Sequence, residues 1–282
     1  MTDAAPSSQD ARTLLREHGA GWLGAVARRR SRRAYDPVSV QGRQLETLLE
    51  VIATWQPYAD ARVVFVRNPA VDVFTGVIGS YGKVTNAPHV LVFIADDRSA
   101  FAPQHLGYTG EAIVLEATRL ELATCWVGGF FNQKRVDQIV ELERGERVLA
   151  VSPVGYARPH DTPAERTLAG FVGAGHRKSV ADLTPKATRG KWPTWAVAAV
   201  ETARLAPSAS NRQPWRFRFE DGGLVVAKDS VLETPKVAKR LDIGIAMLHV
   251  DLAAEAHGID GVWTDLKGLD VARFDPVGPA RP

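Results

Sequence analysis

The sequence predicts an α+β protein built from two related halves in one chain, and three observations carry that expectation. Helix-like and strand-like apolar spacings alternate along the 282 residues. A Pro- and Gly-rich passage over 153–191 interrupts the alternation, which then restarts. Finally, sliding the chain on itself by 137 residues sets Gly107 on Gly244, Leu115 on Leu252, Ala117 on Ala254, Leu122 on Ile259 and Trp126 on Trp263. A helix ending before Pro57 and another ending before Pro207 repeat in the same order at a slightly different offset, as a duplicated unit requires. The expected organisation is a first half over 1–160, a bridge over 161–191 and a shorter second half over 192–282.

Each element follows from local pattern. Leu14, Leu15, Trp22, Leu23 and Val26 among charged neighbours predict a helix over 11–29. Leu45, Leu48, Leu49 and Ile52 predict a second over 44–55, stopped by Pro57. Short Val-, Phe- and Ile-rich runs at 62–66 and 89–95 predict strands, the latter entered through a turn at Asn86–Pro88. From 107 to 123 the apolar residues are too continuous for a surface helix, so a buried helix is expected. Glu111 and Glu116 on it read as structural or solvent-facing, and strands follow at 126–131 and 148–155. The second half reads as a helix over 192–205, a hairpin of 215–219 with 224–227 around Asp221, Gly222 and Gly223, and a second buried helix over 242–256 with His249 packed inside it.

Composition narrows the function classes. With 45% hydrophobic and 24% charged residues, seven Trp and ten Phe, the chain resembles an ordinary globular protein. The single cysteine, Cys125, excludes an intramolecular disulfide or a Cys-pair metal or redox site, and reads as a small buried residue. A polar N-terminus and the lack of any run near the ~18 apolar residues of a membrane span predict a cytoplasmic protein with no membrane partner. No metal site is expected: there is no His-Glu-x-x-His, and the histidines share no ligand spacing. The Lys178-Ser179 pair sits two residues off the spacing of a nucleotide-binding Gly-rich loop. A net charge of +3 argues against nucleic acid as partner. The exception to this evenness is Arg28, Arg29, Arg30, Arg32 and Arg33, a run that suits a basic patch or a phosphate.

Two stretches on either side of the bridge resemble the FMN-dependent nitroreductase family, in its fused two-half branch. Arg30-Ser31-Arg32-Arg33-Ala34-Tyr35, followed by Pro37, is similar to the family's opening Arg-Ser-x-Arg-x-aromatic motif. Ala206-Pro207-Ser208-Ala209-Ser210-Asn211-Arg212-Gln213-Pro214-Trp215 is similar to its Pro-Ser-x-x-Asn-x-Gln-Pro-Trp loop. The segments at 123–129, Gly155-Tyr156, His176-Arg177-Lys178 and 242–247 resemble later family elements. Arg32 stands where an aliphatic residue is usual, and Glu121 replaces a common glycine.

The resemblance implies a nitroreductase-like fold that acts as its own pseudo-dimer. It also implies FMN held at its phosphate by Arg30, Ser31 and Arg33, with Arg177 and Lys178 closing the cradle. Pro207, Ser208, Ala209, Ser210, Asn211 and Gln213 would meet the flavin ring, Val127, Gly128 and Gly129 its N5 edge, and Lys83 the N1/C2 edge. No catalytic side chain is needed, because the flavin carries the chemistry. The implied activity is ping-pong hydride transfer from NAD(P)H to a small-molecule acceptor such as a nitroaromatic or quinone; the alternative is a flavin storage or sensing protein with little turnover. The first half has Gln56-Pro57-Tyr58-Ala59 where the loop belongs, and the second has only Arg189-Gly190-Lys191 in place of the arginines, so one FMN per monomeric chain is expected.

Overall fold

The computed structural model describes residues 8–69, 72–74, 84–129, 131–159, 175–184, 191–233 and 236–278. Lys83 and most of the predicted bridge lie outside them.

Two sheets of the same topology lie in the two halves. The first joins β1 (Ala61–Arg67), β2 (His89–Asp96), β5 (Glu146–Gly155) and β3 (Ala123–Thr124) in the order β1-β2-β5-β3, with β4 (Val127–Gly128) also paired to β5. The second joins β6 (Trp215–Glu220), β7 (Gly223–Lys228), β9 (Asp270–Pro276) and β8 (Gly261–Asp265) in the order β6-β7-β9-β8. Both run first, second, fourth, third in chain order, every pair is antiparallel, and both have a register shift between the second and fourth strands. Helices occupy equivalent places: α2 (Gly42–Thr54) and α6 (Thr194–Ala203) precede the sheets, and α3 (Ala102–Arg119) and α7 (Lys239–Ala256) cross between their strands. The short helices α4 (Gln133–Val136) and α5 (Val180–Leu183) and the leading α1 (Ser8–Val26) stand outside this repeat.

The two long helices are buried nearly all round because each packs on a sheet, on α1 and on the other. Their crossing is made by the glycines that the sequence repeat pairs. A Cβ on Gly107 would lie 2.1 Å from the Leu241 carbonyl oxygen, and one on Gly244 would lie 1.9 Å from that of Gln104. Only glycine allows backbones this close.

The expected helices and strands are present, with shifted ends. The first buried helix starts at Ala102, a turn before the predicted 107, because Pro103 is well placed in the first turn of a helix and does not break it. The predicted strand over 126–131 is reduced to the two-residue β4, and β3, β8 and β9 lie outside the predicted strands. After Gly261, β8 alternates exposed and half-buried residues, and β9 buries Val271, Ala272 and Phe274 without strict alternation, so the pair, joined by a turn at Gly268 (φ 80°), has no clean period of two.

Glu111 and Glu116 are fully buried, which decides between the two readings left open for them. Glu116 accepts from the Trp22 indole at 3.0 Å and pairs with Arg119 at 2.7 Å; Glu111 accepts from the Trp126 indole at 2.7 Å. His249 is packed but also placed, its Nε2 3.2 Å from Glu111 and its Nδ1 3.2 Å from the Thr202 carbonyl. Cys125 is buried, as expected. No helix among the described residues is long and apolar enough to cross a membrane, and no group of His, Cys, Asp or Glu among them could hold a metal ion.

Candidate functional site: a cavity between the halves

The arginine run is fixed by backbone pairing. Directly after α1, Ser31 bridges Thr124, Ala34 bridges Thr85 and Tyr35 bridges Ala157, while the Arg32 N–H donates to the Thr124 carbonyl at 3.0 Å. Tyr35 anchors the segment: its ring is fully buried and its hydroxyl donates to the Arg32 carbonyl at 2.7 Å. Arg29, Arg30, Ser31, Arg32 and Arg33 thereby line a cavity of about 420 Å³, and Arg177 lines it with them. Burial, and then repulsion from Arg29 and Arg204, push the Arg177 guanidinium below its ordinary value. Such a cluster is complementary to a phosphate.

Further lining comes from the second half. Helix α6 ends before Pro207, and the chain then forms a 3-10 turn at Ala209–Asn211. Ser210 (φ 51°), Asn211 (φ 54°) and Gln213 (φ 52°) all lie in the left-handed region, a conformation that side-chain-bearing residues keep only when neighbours hold them there. The holding bonds are visible. Gln213 N–H donates to Ser208 Oγ at 2.9 Å, Lys178 N–H to Gln213 Oε1 at 2.8 Å, and Arg177 to Asn211 Oδ1 at 2.7 Å. The Lys178 ammonium donates to the carbonyls of Arg212 and Gln213 at 2.9 and 3.1 Å.

Of the residues singled out in the sequence, Arg30, Ser31, Arg33, Arg177, Gly128, Pro207, Ser208, Ala209, Ser210 and Asn211 line this one cavity. Gln213 and Lys178 are not among the lining residues; they bond to each other and Lys178 also to the Arg212 carbonyl. Val127 pairs with Val151 and packs into the core of the first sheet. Gly129 (φ 68°) lies against Lys236, whose carbonyl oxygen would be 2.6 Å from an added Cβ. Lining residues to which the sequence reading gave no individual cofactor contact are Val26, Ala27, Arg29, Arg32, Trp126, Gly175, Leu205, Val237, Leu241, Asp242 and Ile245. Asp242 opens the 242–247 stretch that resembles a family helix start, and a carboxylate at the head of a predicted buried helix is the signal that marks it. It is 3% exposed, and both its oxygens face the Ala209 N–H, at 3.0 and 3.1 Å. Burial pushes its carboxyl up to about 7, although the Ala209 N–H and Arg212 act to lower it.

The size and lining suit a flavin nucleotide. The lining combines the cationic groups of Arg29, Arg30, Arg32, Arg33 and Arg177 with apolar Trp126, Leu205, Val237, Leu241 and Ile245, and the 208–211 loop adds hydroxyl and side-chain amide groups.

The repeat carries this cavity onto a second position, which is closed. Asp242 and Ile245 map by 137 residues onto His105 and Tyr108, Trp126 maps onto Trp263, and Gly128 maps onto Asp265; Ser208, next after Pro207, corresponds to Tyr58, next after Pro57. There the Tyr58 ring stacks on His105 at 3.9 Å between centroids and 4° between planes, and meets Tyr108 edge-on at 5.5 Å. His105 spans Asp60 at 2.7 Å and Asp265 at 3.0 Å. Tyr108 and Trp263 both donate to Asp251, which also pairs with Arg12 at 2.6 Å. Side chains of this chain fill the space that the open cavity leaves clear.

Burial disfavours the His105 imidazolium, but the hydrogen bonds and charges of Asp265 and Asp60 outweigh it and hold its pKa at about 9. Since the folded value lies above the unfolded ~6.5, the stabilisation is complete below pH ~6.5 and is lost as pH rises through 9. Thermal denaturation between pH 6 and 10 should show a decline equivalent to at most about 3 kcal/mol. His105→Gln should be less stable at pH 6 and show a flatter profile; parallel profiles for the two proteins would contradict this.

A duplicated α+β unit closing on one cation-rimmed cavity defines a two-half nitroreductase-type fold. The chain belongs to the family described as "Putative TM nitroreductase", whose model matches residues 23–254. Among solved structures it is similar to a nitroreductase of that description from Thermotoga maritima, at 20% identity over 90% of this chain and 92% of the other, with a TM-score of 0.55. A nitroreductase family protein from Clostridium difficile matches 60% of this chain and 98% of its own at 17% identity and a TM-score of 0.43. A nitroreductase with bound FMN from Bacteroides fragilis matches 50% of this chain and 90% of its own at 18% identity and a TM-score of 0.39. No curated protein matches the sequence.

Proposed function

We propose that the protein is an FMN-dependent oxidoreductase that passes reducing equivalents from NAD(P)H to a small acceptor such as a nitroaromatic or quinone. The observation that carries this reading is the convergence of Arg30, Ser31 and Arg33 from one half with Ser208, Ala209, Ser210 and Asn211 from the other on a single cavity.

FMN, when bound, supplies a ring that accepts hydride from one molecule and gives it to the next. The chain's part is then binding, orientation and electrostatics. Arg30 and Arg33 have the forked donors that a phosphate takes in pairs, Ser31 adds a hydroxyl, and Arg177 approaches from the bridge. Ser208 and Ser210 hydroxyls can meet ring carbonyls, with Gly128 on the cavity wall contributed by the first half. Leu205, Val237, Leu241 and Ile245 exclude water from the ring's surroundings. The closed counterpart at Tyr58 and His105 supports one flavin per chain and a monomer that completes its own site.

The test is the flavin content of protein purified without added cofactor, followed by anaerobic mixing with NADH and with NADPH. One FMN per chain, bleached rapidly by either donor and recoloured by a quinone, is expected. A tightly bound flavin that neither donor reduces would favour storage or sensing, and no FMN affinity at all would remove the cofactor from the reading.

A further inference from the structure

We infer that Asp242 is a positioning residue for the cofactor site, a latch that holds the 208–213 loop in its flavin-facing shape through the Ala209 N–H; this rests on the flavin reading above. A carboxyl group buried at the start of a long helix is costly unless its partners need it. Here both oxygens converge on one backbone amide of another segment, and the same side chain lines the cavity. Ala209 opens the turn whose next residues, Ser210 and Asn211, lie in the left-handed region. A turn of that kind persists only when it is tied at more than one point. Lys178, Arg177 and Ser208 tie its far side, and Asp242 ties its beginning.

The repeat supplies a second, independent observation. The residue at Asp242's place in the other half is His105, and it too grips the segment after a helix-ending proline, through Asp60 at 2.7 Å. Both halves therefore fasten the same loop to the same turn of the same helix. In the closed half the fastener is a ring with Tyr58 stacked on it. In the open half it is a short carboxylate that holds the loop from its edge and leaves the cavity clear.

The experiment compares wild type, Asp242→Ala and Asp242→Asn by amide hydrogen exchange of the 206–213 segment and by FMN binding measured from flavin fluorescence. Loss of the acceptor in Asp242→Ala should speed exchange at Ala209 and weaken FMN binding, each about 10- to 100-fold. Asp242→Asn keeps an acceptor oxygen and should recover most of both. Unchanged exchange in Asp242→Ala would overturn the latch, and so would unchanged FMN affinity with exchange accelerated. Should Asp242→Ala not fold, Asp242→Ser, whose shorter side chain withdraws the acceptor, is judged by the same two criteria. A wild-type protein with no FMN affinity sinks the flavin reading instead, and exchange at Ala209 then decides the latch alone.

Discussion

Arg30→Ala/Arg33→Ala is expected to lose FMN affinity by about 10²- to 10⁴-fold with the fold intact. Each guanidinium brings charge-assisted hydrogen bonds worth ~1.5–3 kcal/mol when their partner is a phosphate, and the two together supply a large part of the affinity of a nucleotide held at one end. Arg30 is exposed and Arg33 half-buried, while the segment itself is held by Tyr35 and by backbone bridges to Thr124 and Thr85. Removing the two side chains therefore leaves the backbone anchors in place. Arg30→Lys/Arg33→Lys retains the charge without the fork and should fall between. Titration of flavin fluorescence at two salt concentrations checks this, since the wild type should weaken with salt more steeply than the double alanine variant. Equal affinity in the two proteins would move the phosphate away from the arginine run.

The other large effect belongs to the helix crossing. Gly244→Ala places a methyl group 1.9 Å from the Gln104 carbonyl oxygen, and Gly107→Ala places one 2.1 Å from that of Leu241. In neither case is the obstacle a flexible side chain that could swing aside, so the two helices must separate. The expected cost exceeds about 3 kcal/mol for either change, a fall in Tm on the order of 10 °C. Because α7 carries Leu241, Asp242 and Ile245 into the cavity, retention of FMN should fall as well. Gly24→Ala is the control: an alanine there meets nothing within 4 Å on an exposed face of α1 and should be neutral or slightly stabilising. A Gly244→Ala protein as stable as wild type would mean that the helices do not cross at these glycines.

Much of this arrangement was legible in the residues. Gly107 and Gly244 were matched by the repeat before their contact was known, and the identical strand order of the two sheets explains why the repeat exists. The arginine run and the Ser208–Asn211 loop stood out by residue type, and the structure brings both to one cavity. Strands β8 and β9 were not legible, since an edge hairpin with one half-exposed face has little apolar signal. Nor were the fates of Lys178 and Gln213. Their polarity suits a ligand or a loop carbonyl equally well, and only the packing shows that they prop the loop.

By itself the sequence determined the class of fold, the duplication and the cationic and polar side chains available to a site. These depend on local periodicity and on which side chains are present. What only the tertiary structure decided is which groups converge and which are diverted. It made Asp242 a tether and Glu111 a buried acceptor, and it filled one of two equivalent positions with Tyr58 on His105 while leaving the other open. The physical reason is that burial and hydrogen-bond partners are properties of pairs far apart in the chain: Asp242 lies 33 residues from Ala209, and Glu111 lies 138 from His249. No pattern along one segment encodes a partner that folding alone brings near.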